Sequence, residues 1–294
     1  MKMNFAVAAT AAACALALGA SAAVAAPMYI DTHQAGLDIA PYTGIGDADT
    51  KTGIFTEFGF NQLLATSVYD MTDGTIAGSF YDTNIASDLA SLGVPTSGTS
   101  LAGTNTVTLK NPTAGQVNID TLSPTAPGFG TDAEGFSQTW GLNIFYHLNG
   151  VMNLASGPVY TGGTWEVVLT DPMGMVAGGS RVVLSGILTG SNLQAANLDL
   201  FLQITYAEAG FLYLQDSSGN WNSAKAGDTL SLDTNVNPPI PTAAELLLVG
   251  TNAIRQSTLD GSITVTPATV PEPASLALFG IGLTGLLAAR RRKS

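Results

Sequence analysis

Apolar and polar residues alternate along several stretches in the middle of the chain. In residues 198–206 every second position is apolar, and the positions between them are mostly polar. Successive side chains of a β-strand point to opposite faces, so this stretch has one face suited to a core. The apolar positions of that face are Leu198, Leu200, Leu202, Ile204 and Tyr206. Residues 140–148 and 165–169 alternate in the same way, which predicts antiparallel strands with one buried face.

Shorter apolar stretches lie on both sides of these three. Residues 181–188 and 211–214 alternate less and are expected to be buried on both faces. Weaker strands are predicted at residues 54–60, 75–81, 106–109, 229–232 and 262–266. Turn signals separate the strands, and the chain has no repeat of fixed period. The pattern therefore predicts an all-β domain over residues 26–270, built as an antiparallel β-sandwich or a jelly roll.

Three segments of this domain differ from the strands in composition. Residues 242–256 are predicted to form either a short helix or one more strand. Residues 94–106 and 121–131 are rich in Ser, Thr, Gly and Pro, which is typical of surface loops. Nothing in the sequence marks a second domain boundary between residues 26 and 270.

The first 25 residues have the three parts of a secretory signal peptide. Lys2 supplies a positive charge, residues 5–19 are apolar, and Ala23 and Ala25 form a small-x-small cleavage site. Cleavage by signal peptidase after Ala25 is therefore predicted. The alternatives are an uncleaved membrane anchor and a lipid attached at Cys14. Cys14 is the only cysteine of the chain, so the processed protein would contain no thiol nucleophile and no cysteine-ligated metal.

The C-terminus also has three parts. Pro271, Glu272 and Pro273 come first, and residues 274–289 then carry no charge. The chain ends on a basic cluster: Arg290, Arg291, Arg292 and Lys293. The uncharged segment is slightly short for a membrane span of about 20 residues, and the flanking arginines can reach the interface. The pattern predicts a sorting segment at 271–294 with one transmembrane helix, halted by a basic cluster that stays in the cytoplasm.

This tail resembles the PEP-CTERM sorting signal, which combines a Pro-Glu-Pro motif, a short apolar helix and a terminal arginine cluster. The resemblance covers residues 271–294. It implies recognition by exosortase, a membrane-embedded cysteine transpeptidase. It also implies export across the inner membrane of a Gram-negative bacterium, transient anchoring by the helix, and delivery to the cell surface or extracellular matrix. The two prolines favour an extended peptide at the membrane surface, with Glu272 as a charge that the enzyme can read.

Charge and composition limit the possible ligands. The net charge is −12, and half of the ten basic residues lie at the two ends of the chain. Such an acidic central domain repels a phosphate backbone, which excludes nucleic acid as a partner. Asp47 and Asp49 begin like a calcium loop, but Thr52 and Phe58 stand where a helix-loop-helix site needs Gly and Glu. We expect at most weak calcium binding at Asp47 and Asp49, with a simple acidic surface as the alternative, and no other cofactor.

The candidates for catalysis do not form a recognisable motif. His33 and His147 are far apart in sequence, and the chain has no G-x-S-x-G elbow. Each histidine is therefore expected to be solvated or hydrogen-bonded. Glu166 and Glu208 lie on or beside predicted strands, where they could act as the paired carboxylates of a glycosidase or simply be solvated acids. No catalytic residue is assigned, and the protein is not expected to be an enzyme.

The central domain resembles flocculation-associated PEP-CTERM proteins in residues 53–58, 141–146 and 259–263. Members of that group are implicated in binding cells and exopolysaccharide into flocs. The resemblance implies a non-enzymatic surface or matrix protein that acts with extracellular polysaccharide in biofilm or floc formation. The alternative is a secreted carbohydrate-binding or glycan-hydrolysing domain that uses the same sorting system. Exposed aromatic residues on one sheet face would favour sugar binding, and two converging carboxylates would favour hydrolysis.

Overall fold

The computed structural model describes residues 25–32, 50–91, 117–123, 134–137, 140–170, 180–236 and 238–268. Within these ranges the chain forms mainly strands, together with one short helix, α1 (Ala86–Ser91), and one 3₁₀ turn (Ala243–Glu245). The strands are β1 (Met28–Ile30), β2 (Glu57–Asp70), β3 (Gly78–Thr83), β4 (Val117–Ser123), β5 (Gly141–Asn153), β6 (Gly157–Thr170), β7 (Arg181–Gln194), β8 (Asn197–Ala207), β9 (Leu212–Gln215), β10 (Trp221–Ser223), β11 (Thr229–Asn235), β12 (Leu247–Val249) and β13 (Asn252–Thr266). The prediction of an all-β domain is confirmed.

The long strands form one antiparallel sheet that closes on itself. Around the sheet the order is β2, β3, β5, β6, β7, β8, β11 and β13, and β13 pairs again with β2. The closing pairs include Ile263 with Phe58 and Ile254 with Val68. β4 shares one position with β3, because β3 pairs with the later halves of β2 and β5 and β4 pairs with the earlier halves. The described strands therefore make a closed barrel of eight positions.

The alternation seen in the sequence fills the inside of this barrel. On β8, the side chains of Leu198, Leu200, Leu202 and Ile204 are buried as predicted, but Tyr206 is 49% exposed. The cause is an irregularity in the β7–β8 pairing, where Tyr206 faces Ser185 and the next pair skips one residue of β8. An extra residue in one strand breaks the period of two and turns the following side chain to the other face.

Several local predictions differ from the structure. One sheet closes into a barrel where the sequence led us to expect a sandwich or a jelly roll, because both arrangements require the same alternation within each strand. Residues 242–256 form the 3₁₀ turn, β12 and the start of β13, so the strand alternative is the better one. Residues 121–123 belong to β4 and not to a loop. The predicted strand at 106–109 and the loop at 94–106 lie outside the described residues.

A second, three-stranded sheet lies at one end of the barrel. This first end is the one where β2, β5 and β11 begin, and the small sheet has the order β1-β9-β10. Ala26 N donates to Val265 O at 3.0 Å, and Met28 N donates to Phe55 O at 2.7 Å, which ties β1 to this end. Buried side chains of the small sheet belong to the same hydrophobic core as the barrel interior, so the sheet covers the first end.

The opposite, second end is covered by the chain between β11 and β12. We call residues 238–246 the cover segment. Arg255 Nη1 donates to Pro238 O at 2.9 Å, and its Nη2 donates to Glu245 Oε1 at 3.1 Å. Glu245 also accepts from the backbone N of Thr242 at 2.7 Å, which fixes the 3₁₀ turn. One buried arginine of β13 therefore holds both ends of the cover segment against the barrel.

Candidate functional site

Three aromatic side chains form a continuous patch on the outer side of the small sheet. Tyr29 and Tyr213 are opposite each other on β1 and β9, and their rings stack at 4.8 Å with an angle of 10°. The Trp221 ring meets Tyr29 edge-on at a centroid distance of 4.8 Å. We call Tyr29, Tyr213 and Trp221 the aromatic face. All three side chains are half-buried, while their strand neighbours Met28 and Leu214 are fully buried on the inner side.

Polar groups border the aromatic face. Lys51 Nζ lies 5.8 Å from the centre of the Tyr29 ring, within the range of a cation–π contact. On the other side, Asp216 accepts hydrogen bonds from the backbone N of Ser218 and from the backbone N of Asn220, at 2.9 and 2.8 Å. These bonds lower the pKa of the Asp216 carboxyl, the bond from Asn220 most. A rigid aromatic surface with charged and amide groups at its border suits a ligand that has apolar C–H faces and hydroxyl groups.

The barrel interior contains a cavity. The volume of this cavity is about 60 Å³, several times the roughly 10–15 Å³ needed for one water molecule. Most of its lining is apolar, from strands β2, β5, β6, β8, β11 and β13. Representative residues are Phe60, Ile144, Trp165, Leu200, Leu230 and Ile263. Asp82 and Tyr160 stand out in this lining because they place a carboxyl and a phenol among hydrocarbon side chains.

These two groups belong to a buried polar cluster. Tyr160 donates its phenolic hydrogen to Asp82 Oδ2. Ser67 lies opposite Asp82 on β2, and its hydroxyl hydrogen-bonds with the Asp82 carboxyl and with Tyr69. The charge of Arg255 acts on both Asp82 and Tyr69. The second carboxyl oxygen, Oδ1, is buried and has no hydrogen-bond partner among the described residues.

Burial dominates the acid–base behaviour of this cluster. It raises the pKa of the Asp82 carboxyl, against the opposing effects of the Ser67 and Tyr160 hydrogen bonds and of the Arg255 charge. It also holds the pKa of Tyr160 well above its usual value, and the nearby Asp82 charge adds to the shift. The pKa of Tyr69 is raised to about 12, again mainly by burial. Both phenols therefore stay protonated at neutral pH, and Tyr160 donates to Asp82.

The sequence predicts that His147 is either solvated or hydrogen-bonded, and in the structure it is hydrogen-bonded. Its Nδ1 lies 2.8 Å from Asp88 Oδ2, which also accepts from Thr83 Oγ1 at 2.8 Å. The imidazole stacks on the Tyr81 ring at 5.0 Å. The arrangement joins α1 to β3 and β5 on the outside of the barrel. The second histidine, His33, lies outside the described residues.

The two glutamates considered for hydrolysis have different surroundings. Glu208 forms a two-pronged ion pair with Arg181, with Nε–Oε2 and Nη2–Oε1 distances of 2.9 Å each. Glu166 lies on β6, opposite Phe145 and Ser185 in the neighbouring strands. Both oxygens of the Glu208 carboxylate are occupied by the Arg181 guanidinium, which does not suit a general acid.

Several predicted sites fall on parts of the chain that the structure does not describe. These are the calcium candidates Asp47 and Asp49, the cleavage residue Ala23, the motif Pro271, Glu272 and Pro273, and the basic residues Arg290, Arg291, Arg292 and Lys293. The other cleavage residue, Ala25, opens the described chain directly before the buried Ala26. Among the described residues, no three His, Cys, Asp or Glu side chains are grouped as a metal site would require. No helix in the described ranges is both long and apolar enough to span a membrane.

Comparison with known proteins identifies the tail. The fold class is a closed antiparallel barrel with an added aromatic sheet. The family model of the PEP-CTERM protein-sorting motif matches residues 269–293, so the chain carries this sorting motif in its last residues. This motif marks an exported protein that exosortase processes and that reaches the cell surface or extracellular space. No curated protein and no solved structure matches the chain.

Sequence analysis missed both the aromatic face and the buried cluster. Tyr29 and Trp221 are distant in sequence, and only the pairing of β1, β9 and β10 brings them together. Asp82 directly follows the predicted strand at 75–81, and no role was assigned to it from the sequence. A signal was present for Asp82, because it lies two residues after Phe80 and extends the inward-facing series of β3.

Proposed function

We propose that this protein is a non-enzymatic component of the extracellular polysaccharide matrix and contacts polysaccharide through the aromatic face. The observation that carries the proposal is the three-ring patch of Tyr29, Tyr213 and Trp221 on an exported PEP-CTERM protein. Sugar rings present C–H groups on one side and hydroxyls at their edges. The patch offers aromatic rings for the C–H groups and the ammonium group of Lys51 for the hydroxyls.

The stacked geometry supports a role in binding. Tyr29 and Tyr213 hold each other in place, so their rings lose little rotational freedom when a ligand arrives. Aromatic contacts of this kind contribute about 0.5–1.5 kcal/mol each beyond the area they bury. A single patch therefore gives weak binding to one sugar unit, and a polymer strengthens it by presenting many units to many protein molecules. Such multivalent contact suits biofilm or floc formation.

The alternative function is that of a secreted carbohydrate-binding or glycan-hydrolysing domain that uses the same sorting system. Carbohydrate binding by the aromatic face is common to both functions. Hydrolysis additionally requires two carboxyl groups on either side of a bound sugar. The ion pair between Glu208 and Arg181 favours a structural role for the one glutamate, which supports the non-enzymatic function.

The route to the matrix follows from the two ends of the chain. In this proposal, signal peptidase cuts after Ala25 during export from the cytoplasm of a Gram-negative bacterium. Residues 274–289 and the basic cluster then hold the protein in the inner membrane. Exosortase cuts near Pro271–Pro273 and passes the barrel to the cell surface or the matrix. Neutral residues in place of Arg290, Arg291 and Arg292 would weaken this retention.

The test is binding of the processed protein to exopolysaccharide from its own host, measured by affinity electrophoresis. Trp221→Ala removes one ring of the aromatic face, and we expect a loss of affinity of about two- to tenfold. Tyr206→Ala is the matched control, because Tyr206 is an exposed aromatic residue that belongs to the barrel and not to the small sheet. The control should bind like the wild type.

Two results would refute the proposal. One is a wild-type protein that does not bind the polysaccharide at any accessible concentration. The other is an equal loss of affinity in the Tyr206→Ala control, which would show that the aromatic face is not the contact. Release of reducing sugar from the same polysaccharide would instead support the alternative function, a glycan-hydrolysing domain.

A further inference from the structure

The cavity inside the barrel is lined by a carboxyl group, that of Asp82, which has one oxygen without a hydrogen-bond partner among the described residues. Asp82 is 7% exposed, and the oxygen without a partner is Oδ1. A buried polar atom without a partner costs about 1–3 kcal/mol, so native structures contain few of them. An apolar residue at this position would avoid that cost. The carboxyl group therefore calls for an explanation beyond packing.

The neighbours of Asp82 hold its carboxyl group in place, but none of the described residues hydrogen-bonds to Oδ1. Tyr160 donates to Oδ2 across the barrel, and Ser67 is its neighbour on β2. Phe80 and Tyr160 pack edge-to-face at 5.1 Å, which fixes the position of the phenol. One oxygen of a well-anchored carboxyl is thus available in a cavity whose lining is mostly apolar. This is the usual composition of a small-molecule site, with an apolar wall and a few placed polar groups.

We infer that the barrel interior binds a compact apolar alcohol or phenol, with the ligand hydroxyl hydrogen-bonded to the Asp82 carboxyl. The size of the ligand follows from the cavity, which has room for about four or more water-sized spheres but not for a long chain. A ring of six carbon atoms with one hydroxyl is a suitable upper limit. Trp165 and Phe60 in the lining offer flat surfaces to such a ring.

The choice of a hydroxyl follows from hydrogen-bond chemistry. A hydroxyl can donate to a carboxylate and can accept from a protonated carboxyl, so it satisfies Asp82 in either state. An ammonium group can only donate, and the nearby charge of Arg255 opposes a second cation. A ligand carboxylate would face Asp82 in a medium with little screening.

Entry is expected at the second end of the barrel. The first end is covered by the small sheet, whose inner side chains such as Met28 and Ile30 are fully buried. Among the described residues, the second end is covered by the cover segment, and the side chain of its anchor Glu245 is 33% exposed. Entry at this end requires the two bonds from Arg255 to Pro238 and Glu245 to open.

The test uses the exported and processed protein from a host that carries exosortase. Phenol and benzene are titrated separately, and binding is followed by the NMR shifts of leucine and isoleucine methyl groups in the cavity lining. The quantity of interest is the ratio of the benzene Kd to the phenol Kd. The comparison protein carries Asp82→Val and Tyr160→Phe together, because replacing both partners leaves no unpaired polar group behind.

We expect both ligands to shift methyl groups of the lining in the wild type. The Kd ratio should be at least about tenfold larger in the wild type than in the double variant, since the variant keeps the apolar wall but loses the hydrogen bond. Leu200→Phe fills part of the cavity and should weaken the binding of both phenol and benzene. Three outcomes would overturn the inference: no binding of phenol by the wild type, an unchanged Kd ratio in the double variant, or benzylamine bound more tightly than phenol.

Discussion

Two glycines of β7 offer a sharp test of how tightly the barrel wall is packed. A Cβ atom added at Gly186 would lie 2.0 Å from Gln203 O, a backbone atom of β8. It would also lie 2.6 Å from Cζ2 of Trp165, whose Nε1 donates to Ile187 O at 3.3 Å. Gly186→Ala must therefore push β7 from β8 or displace the Trp165 ring. A Cβ at Gly190 would meet nothing closer than Phe201 Cδ2 at 4.0 Å, so Gly190→Ala is the matched control.

The expected magnitudes follow from these distances. Overpacking costs about 1–3 kcal/mol, and loss of the Trp165 hydrogen bond adds about 1 kcal/mol. Replacing glycine by alanine also reduces the conformational freedom of the unfolded chain, which stabilises both variants by about 0.4–1 kcal/mol. Gly186→Ala should therefore lower the free energy of unfolding by about 1–3 kcal/mol, and Gly190→Ala should leave it unchanged or raise it slightly. Urea titration monitored by far-UV circular dichroism measures both values. Equal stability of the two variants would refute the packing argument.

Three further predictions concern the buried carboxyl and the two ends of the chain. Burial raises the pKa of Asp82, so its contribution to stability falls as pH rises above the ordinary value of 3.8, by at most about 1.4 kcal/mol per pH unit. Asp82→Asn should remove that decline in urea titrations from pH 4 to 7, and parallel curves would contradict it. Replacing Pro271, Glu272 and Pro273 by alanine should leave a full-length, membrane-retained precursor, and normal release of the barrel would contradict exosortase recognition. The processed protein should begin at Ala26 by mass spectrometry, whereas a mass that includes residues 1–25 would contradict signal-peptide cleavage.

The sequence could predict features that depend on local alternation. The inward face of β8 and the paired inward faces of β5 and β6 follow directly from every second residue being apolar, as at Leu200, Ile144 and Val167. Closure of the barrel depends on the pairing of β13 with β2, which brings Ile263 opposite Phe58 from the far part of the chain. A sandwich would use the same inward residues, so periodicity could not separate the two architectures.

The candidate sites depend on long-range pairing even more strongly. The aromatic face requires β1, β9 and β10 to lie side by side, although each strand is only three or four residues long. Strands this short give almost no periodic signal. Asp82 was hidden for a different reason: an acid near a predicted strand end is usually solvated, and only the barrel interior shows that it is buried beside Tyr160. The sorting tail, by contrast, is a linear motif, and its residues carry the signal without any fold.

The two ends of the barrel divide the proposed functions between them. β13 ends at Thr266 on the first end, and the sorting motif begins at residue 269, so the connection spans at most about 10 Å. Ala26, the predicted new N-terminus, is bonded to Val265 at this same end. If the tail anchors the protein as we propose, both predicted processing points and the aromatic face would lie close to the membrane while the tail is attached. The cover segment and the cavity entrance lie at the opposite end. On this proposed route, retention and cleavage of the tail would change the surroundings of the aromatic face and would leave access to Asp82 unaffected.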